Sequence, residues 1–157
     1  MKIAFGVDNF GFELKESVLQ HLRELGHEVV EVGSTDQDHL RNYIQVGHDV
    51  SELVTSGKCD RGIVVCGTGV GITIATNKNK GISCAFVNDV WFARICRIVN
   101  NANIMALGSS TTTPRIANDC IDVFLGTEWG EGLSPEDVER VHGEVQMLRD
   151  YENEYFK

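Results

Sequence analysis

Cys66 stands between an apolar run, Gly62-Ile63-Val64-Val65, and a loop with glycine at every second position, Gly67-Thr68-Gly69-Val70-Gly71. The run reads as a buried parallel strand opening into a tight turn, and Ile72 to Lys78 reads as the start of a helix. A thiol is thereby placed at the carboxyl end of a strand, beside backbone N–H groups at a helix N-terminus. Open α/β sheets bind ligands there, and developing negative charge is stabilised there. Such surroundings favour the thiolate form of a cysteine. The position suits chemistry on an anion.

The elements that must position this thiol alternate along the chain. Ile3 to Val7 is a strand, and the polar turn Asp8-Asn9-Phe10-Gly11 follows at its carboxyl end, on the same rim as Cys66. Leu14, Val18, Leu22 and Leu25 recur at helical spacing, with Gly26 as the closing glycine. His27 to Val32 is the second strand, and Ser34 to Asn42 has no apolar period and reads as a loop. Tyr43, Val46, Val50, Leu53 and Val54 mark a second amphipathic helix. Ile82 to Val87 is a fourth strand, and Asp89 opens a helix through Asn100, its acid complementing the dipole. A fifth strand covers Asn103 to Leu107. The hydroxyl-rich loop Gly108 to Thr113 leads to Pro114 at a first helical position. Ser134-Pro135-Glu136-Asp137 caps a long last helix over about 135–156, whose apolar positions Val138, Val141, Val145, Leu148 and Tyr155 form a narrow seam suited to a second subunit. Five strands alternating with helices require an α/β three-layer fold with a parallel sheet. Residues 1–157 form a single domain.

Composition narrows the function. With 157 residues and 42% hydrophobic content, the chain suits one domain that buries roughly 68 to 70% of its unfolded surface. A net charge of -9 and the absence of a basic stripe argue against nucleic acid and against an anionic membrane. The expected location is the cytoplasm, because the chain opens directly on a strand and no stretch approaches a membrane span. The cysteines at 59, 66, 84, 96 and 120 form no C-x-x-C pair, so thiols are expected, with all but Cys66 structural. The histidines at 21, 27, 39, 48 and 142 lack ligand spacing, so no metal site is expected. The glycine loop departs from G-x-G-x-x-G, having Ile72 at the last position, and no G-K-[ST] follows it. No cofactor is implied.

Lys2-Ile3-Ala4-Phe5-Gly6 with Asp8, Gly11-Phe12-Glu13-Leu14-Lys15, Cys66-Gly67-Thr68-Gly69-Val70-Gly71-Ile72 with Asn77-Lys78, and Asn100-Asn101-Ala102-Asn103 together resemble the ribose-5-phosphate isomerase B and galactose-6-phosphate isomerase family. The likeness covers residues 1 to 130. It implies a flavodoxin-like, Rossmann-like fold and a homodimer or dimer of dimers with active sites between subunits. It also implies metal-independent aldose–ketose isomerisation through an enediolate. In that reading Cys66 is the base and Thr68 shuttles the hydroxyl proton. Asp8, Asn9, Tyr43 and Asn100 contact a sugar or sugar phosphate, and the N–H groups of Gly67, Gly69, Val70 and Gly71 form the anion pocket. By residue type alone, Asp8 equally suits a helix cap, Thr68 a bond within its own loop, Asn100 a helix end and Tyr43 a core position.

The chain also departs from the family. Asn9 and Val99 replace two histidines, the second of which opens the sugar ring, and Ser110, Leu133 and Asp137 replace arginines that hold the phosphate. A valine transfers no proton, so the substrate expected is already open, such as a four-carbon ketose or its phosphate, or one that opens unaided, within the tetrulose or pentose class. Losing bidentate arginine contacts weakens phosphate binding. Arg41, Arg94, Arg97, Arg115 and Arg140 remain, with Arg97 and Arg140 equally readable as surface charges. A non-catalytic sugar-binding or partner subunit of a hetero-oligomeric isomerase is the alternative, but a dead site has no reason to keep both the thiol and the whole glycine loop.

Overall fold

Apolar and β-branched segments pair into a parallel sheet of five strands: β1 (Lys2–Val7), β2 (Glu28–Gly33), β3 (Arg61–Cys66), β4 (Cys84–Phe86) and β5 (Ile104–Gly108). The helices are α1 (Phe12–Glu24), α2 (Tyr43–Thr55), α3 (Val70–Thr76), α4 (Val90–Ile98), α5 (Pro114–Gly126) and α6 (Pro135–Tyr155). The computed structural model describes residues 1–36 and 38–156. Strand order is β2-β1-β3-β5-β4. The three-layer Rossmann-like class is therefore as expected, but the last two strands are exchanged relative to the flavodoxin order 2-1-3-4-5. The reason is burial. β5 is apolar and buried at every residue, whereas Ala85 and Phe86 of β4 are only half-buried. The more apolar strand takes the interior place, and the shorter one takes the edge.

Two apolar layers cover the sheet. One contains Leu14, Val18 and Leu22 of α1, Ala93 and Cys96 of α4, and Ala117, Ile121 and Phe124 of α5. The other contains Val46 and Val50 of α2 with Ile72 of α3. The steps β1 to β2 and β4 to β5 run one way across the sheet with helices on the first face. The steps β2 to β3 and β3 to β4 run the other way with helices on the second. All four crossovers thus share one hand, as parallel sheets require.

Local chemistry sets the helix ends. Ser134 Oγ accepts the Asp137 N–H at 3.1 Å and Thr113 Oγ1 accepts the Ile116 N–H at 3.4 Å, both at the expected caps. Asp89 caps α4 through its side chain, accepting the Phe92 N–H at 2.9 Å. Asn42 and Gln45 form a capping box that the loop reading of Ser34 to Asn42 missed. Leu25 lies just beyond α1, exposed, and Gly26 turns the chain with φ +78°. The side chain facing inward there is Lys15, which pairs with Glu31 at 2.6 Å and donates to the carbonyls of Ser34 and Thr35.

Arg97 is buried, contrary to its reading as a surface charge. Its guanidinium donates to the carbonyls of Ala102 at 2.6 Å and Thr127 at 3.3 Å and to Asn101 Oδ1 at 2.9 Å, tying together the ends of α4 and α5. Arg140 does lie at the surface, between Asp137 and Glu144.

The seam on α6 is divided. Val141 and Val145 are buried within the chain, while Met147, Leu148, Tyr151 and Tyr155 are exposed. Glu152 holds this half against the loop that precedes β4 by accepting the Gly81 N–H at 2.9 Å. Replacing Val141 with alanine should therefore cost about 2 kcal/mol, two buried methyl groups plus the cavity they leave. Met147→Ala, at 71% exposure, should change the stability of the chain by less than about 0.5 kcal/mol. Urea unfolding of both variants measures the contrast.

Candidate active site

Because every strand is parallel, the carboxyl ends of β1, β3 and β5 open on one edge, with Val7 beside Val65 and Cys66 beside Gly108. The chain leaves β3 toward the face of α3, but leaves β1 and β5 toward the opposite face of α1 and α5. Adjacent strands whose connections part in this way leave a crevice between them, which is where such sheets bind ligands. Cys66 ends the strand in the middle. Asp8 follows β1 on one side and Ser109 follows β5 on the other, and the two flanking loops are joined by Ser109 Oγ donating to the Phe10 carbonyl at 2.7 Å.

The glycine loop has a packing reason at each glycine. Gly69 lies in the left-handed region at φ +80°, and a β-carbon there would fall on the ring edge of Phe86, 2.6 Å from Cδ2. A β-carbon on Gly67 would lie 3.2 Å from Phe10 Cβ, and one on Gly71 would lie 3.4 Å from the Tyr43 ring. Three aromatic residues from three different elements thus seat on alternate positions of one loop. The loop is also pressed from the side, since a β-carbon on Gly108 would lie 2.6 Å from the Thr68 carbonyl carbon.

This packing aims the Gly69 N–H at Cys66 Sγ, 3.1 Å away. The Val70 N–H is taken by Thr68 Oγ1 at 3.3 Å, so two of the N–H groups expected in the anion pocket are engaged within the loop. Cys66 is 5% exposed and Asp8 2% exposed. Asp8 Oδ1 accepts the Phe10 N–H at 2.8 Å, a turn of its own rather than a cap on α1, whose N-cap position is Gly11. Burial holds the Asp8 carboxyl above the ordinary carboxylate range, with the N–H groups of Phe10 and Gly11 working in the other direction. Asn9 is fixed by its N–H, which donates to the Arg41 carbonyl at 3.1 Å. Tyr43 begins α2, half exposed against Gly71, and is a rim residue rather than a core one.

Asn100 is not brought to this rim. It follows α4 and lines a cavity of about 680 Å³ at the opposite edge of the sheet, together with Arg61, Ser83, Asn103, Leu148 and Tyr151. A single chain therefore does not assemble all the residues singled out from the sequence. The sequence reading did not single out Phe10 and Phe86, which pack on the glycine loop beside Cys66. Their only signal was their place in the chain, at or just beyond a strand end.

The other cysteines are buried thiols, and two of the remaining arginines are paired. Burial pushes the Cys84 thiol up to about 12 and the Cys96 and Cys120 thiols up to about 11, and raises Cys59 as well. Arg41 pairs with Asp49 at 2.6 Å and Arg94 with Glu131 at 2.7 Å. Among the described residues no cluster of three or more histidine, cysteine, aspartate or glutamate side chains could hold a metal ion. No helix among them is long and apolar enough to cross a membrane.

Residues 3–142 match the Ribose/Galactose Isomerase family. The chain belongs to this family. It is similar to ribose-5-phosphate isomerase B of Escherichia coli, 36% identical over 140 residues that span 89% of this chain and 93% of that one. It is 32% identical over 141 residues to D-erythrulose-4-phosphate isomerase of Pectobacterium atrosepticum, spanning 90% of this chain and 93% of the relative. Its fold is similar to that of ribose-5-phosphate isomerase B from Clostridium thermocellum, with a TM-score of 0.89, 38% identity and 99% of each chain covered. The enzyme class expected from the sequence, an isomerase interconverting aldoses and ketoses, stands with the family.

Two outcomes follow from this geometry. Gly69→Ala should lower stability by about 2 kcal/mol or more, combining a strained positive φ with overlap on Phe86. Gly126→Ala, with nothing within 4 Å at the end of α5, should be neutral or stabilising by up to about 1 kcal/mol. Chemical denaturation of the two distinguishes them. The second outcome concerns Asp8. Because the folded chain holds its proton to a higher pH than the unfolded chain does, its contribution is complete below about pH 3.9 and is lost as pH rises through the folded value. Asp8→Asn keeps an acceptor for the Phe10 N–H and should be more stable than the parent near neutrality, the difference closing in acid. Melting temperatures of both proteins from pH 3 to 7 measure it.

Proposed function

We propose that this chain isomerises a small open-chain sugar or sugar phosphate, preferably of four carbons, with Cys66 as the base. The observation that carries this reading is the thiol in the crevice, receiving the Gly69 N–H at 3.1 Å beside the buried carboxyl of Asp8. In the proposed reaction the Cys66 thiolate removes the proton from the carbon next to the carbonyl, and the electron pair moves onto the carbonyl oxygen to give an enediolate. Thr68 passes a proton between the two oxygens, and the thiol returns its proton to the neighbouring carbon. Atoms and charge balance without a co-reactant. Asp8, with its carboxyl held toward the protonated form, serves to hold a sugar hydroxyl, and Asn9 and Tyr43 border the same crevice.

Preference for an open four-carbon substrate is supported by Val99 and Asn9, which supply no acid or base for ring opening. The likeness to D-erythrulose-4-phosphate isomerase supports it too. Asn100, at the far edge of its own chain, reaches a site in this reading only from a second copy. Exposed Ile44, Val70 and Ile74 on α2 and α3 provide an apolar surface for that copy beside the crevice. The outer face of α6 provides another.

Cys66→Ala should fold normally and lose about 100-fold to 10,000-fold in turnover, read as loss of carbon-bound deuterium from labelled substrate. Exchange at the parent rate would remove Cys66 as the base. The parent should turn over D-erythrulose 4-phosphate better than ribose 5-phosphate and keep its activity after prolonged chelation, and Val99→His should raise activity selectively on the cyclic sugar. A parent faster on ribose 5-phosphate would overturn the open-chain preference.

A further inference from the structure

Phe10 combines two properties that seldom occur together. Its side chain is 69% exposed, and its backbone is fixed on both sides. The N–H donates to Asp8 Oδ1 at 2.8 Å, and the carbonyl accepts Ser109 Oγ at 2.7 Å. Its Cβ lies 3.2 Å and its ring Cγ 3.8 Å from the place a Gly67 β-carbon would take, so the side chain rises from the rim one residue from Cys66. An aromatic group anchored this firmly, with most of its surface open to water, gains most from a ligand that removes it from water.

We propose that Phe10 is a specificity-determining residue, its ring forming the apolar wall of the crevice and limiting the site to short sugars. This rests on the isomerase reading above. The polar groups bordering the crevice are the Asp8 carboxyl, the Asn9 amide and the hydroxyls of Thr68, Tyr43 and Ser110, and the ring itself adds no hydrogen-bonding group to them. A four-carbon chain whose carbonyl end lies at Cys66 packs its C–H face on the ring while its hydroxyls reach the polar side. A five-carbon chain placed on the same thiol carries one more hydroxyl-bearing carbon past the ring, and that hydroxyl loses water without gaining a partner. The neighbouring glycine lets the wall stand this close. A side chain at 67 would push the Phe10 Cβ away from the thiol.

The test is made with the full-length Cys66→Ala protein, so that binding is read without turnover. Calorimetric titrations with D-erythrulose 4-phosphate and D-ribulose 5-phosphate are compared with and without Phe10→Ala. The Cys66→Ala protein should bind the four-carbon ester about tenfold more tightly. Adding Phe10→Ala should weaken that binding about tenfold while leaving the five-carbon ester unchanged or tighter, whereas Phe10→Tyr, which keeps the ring, should preserve the preference. Equal effects of Phe10→Ala on both esters would overturn the proposal, as would failure of the Cys66→Ala protein to bind either. Preferential binding that depends on Phe10, in a parent protein that turns over neither sugar, would overturn the isomerase reading and uphold the role of Phe10.

Discussion

The turn at Gly69 is the constraint on which the site depends. Its φ of +80° and the Phe86 ring packed where a side chain would project leave that position to glycine. The same turn delivers an N–H to Cys66 Sγ and starts α3 toward the second face of the sheet. From there the other close approaches follow. Gly108 lies against the Thr68 backbone, and Gly11 sits so close to β3 that a β-carbon would lie 2.8 Å from the Val65 carbonyl oxygen. Three strand ends are drawn together by these close backbone approaches and by the Ser109–Phe10 hydrogen bond. A sheet edge becomes a crevice because its glycines let neighbouring segments approach more closely than side chains would allow.

Buried ionisable groups show where the fold tolerates an unbalanced cost. Lys15 has a carboxylate, Glu31, and two carbonyls. Arg97 has three acceptors at the ends of α4 and α5, so its charge is dispersed over oxygens that burial would otherwise leave without donors. Among the described residues Asp8 has no basic partner, and its carboxyl is pushed up by burial. The first two hold elements together. The third fixes the turn through the Phe10 N–H and lies beside the thiol, the placement expected of a carboxyl at a candidate site.

The two edges of the sheet carry different halves of the proposed machinery. Cys66, Thr68, Asp8 and Tyr43 lie at the carboxyl edge, and Asn100 lies beside the cavity at the amino edge. Separation of this kind has a simple origin. A helix that follows a parallel strand runs back antiparallel to it, so residues just beyond its end return to the far side of the sheet. In the reading proposed above Asn100 meets a thiol only across two copies, and α2 and α3 carry exposed apolar residues beside the carboxyl edge.

Much of this protein was determined by local order in the sequence. The alternation of apolar strands with amphipathic helices, the caps at Ser134 and Thr113 and the closing glycine at Gly26 depend on neighbours a few residues away, and they form where local chemistry places them. Cys66 and Asp8 were legible for the same reason, because each follows directly from a strand end. What depended on distant residues was decided only in three dimensions. The exchange of β4 and β5 was settled by competition for the buried interior, and the burial of Arg97 by carbonyls that become neighbours only when α4 and α5 pack. Phe10 and Phe86 joined the site because glycines far along the chain leave room for them, and Asn100 was carried to the opposite edge by the direction of its helix. A motif names the groups at a strand end; which other groups meet them depends on how strands are ordered and how closely backbones pack.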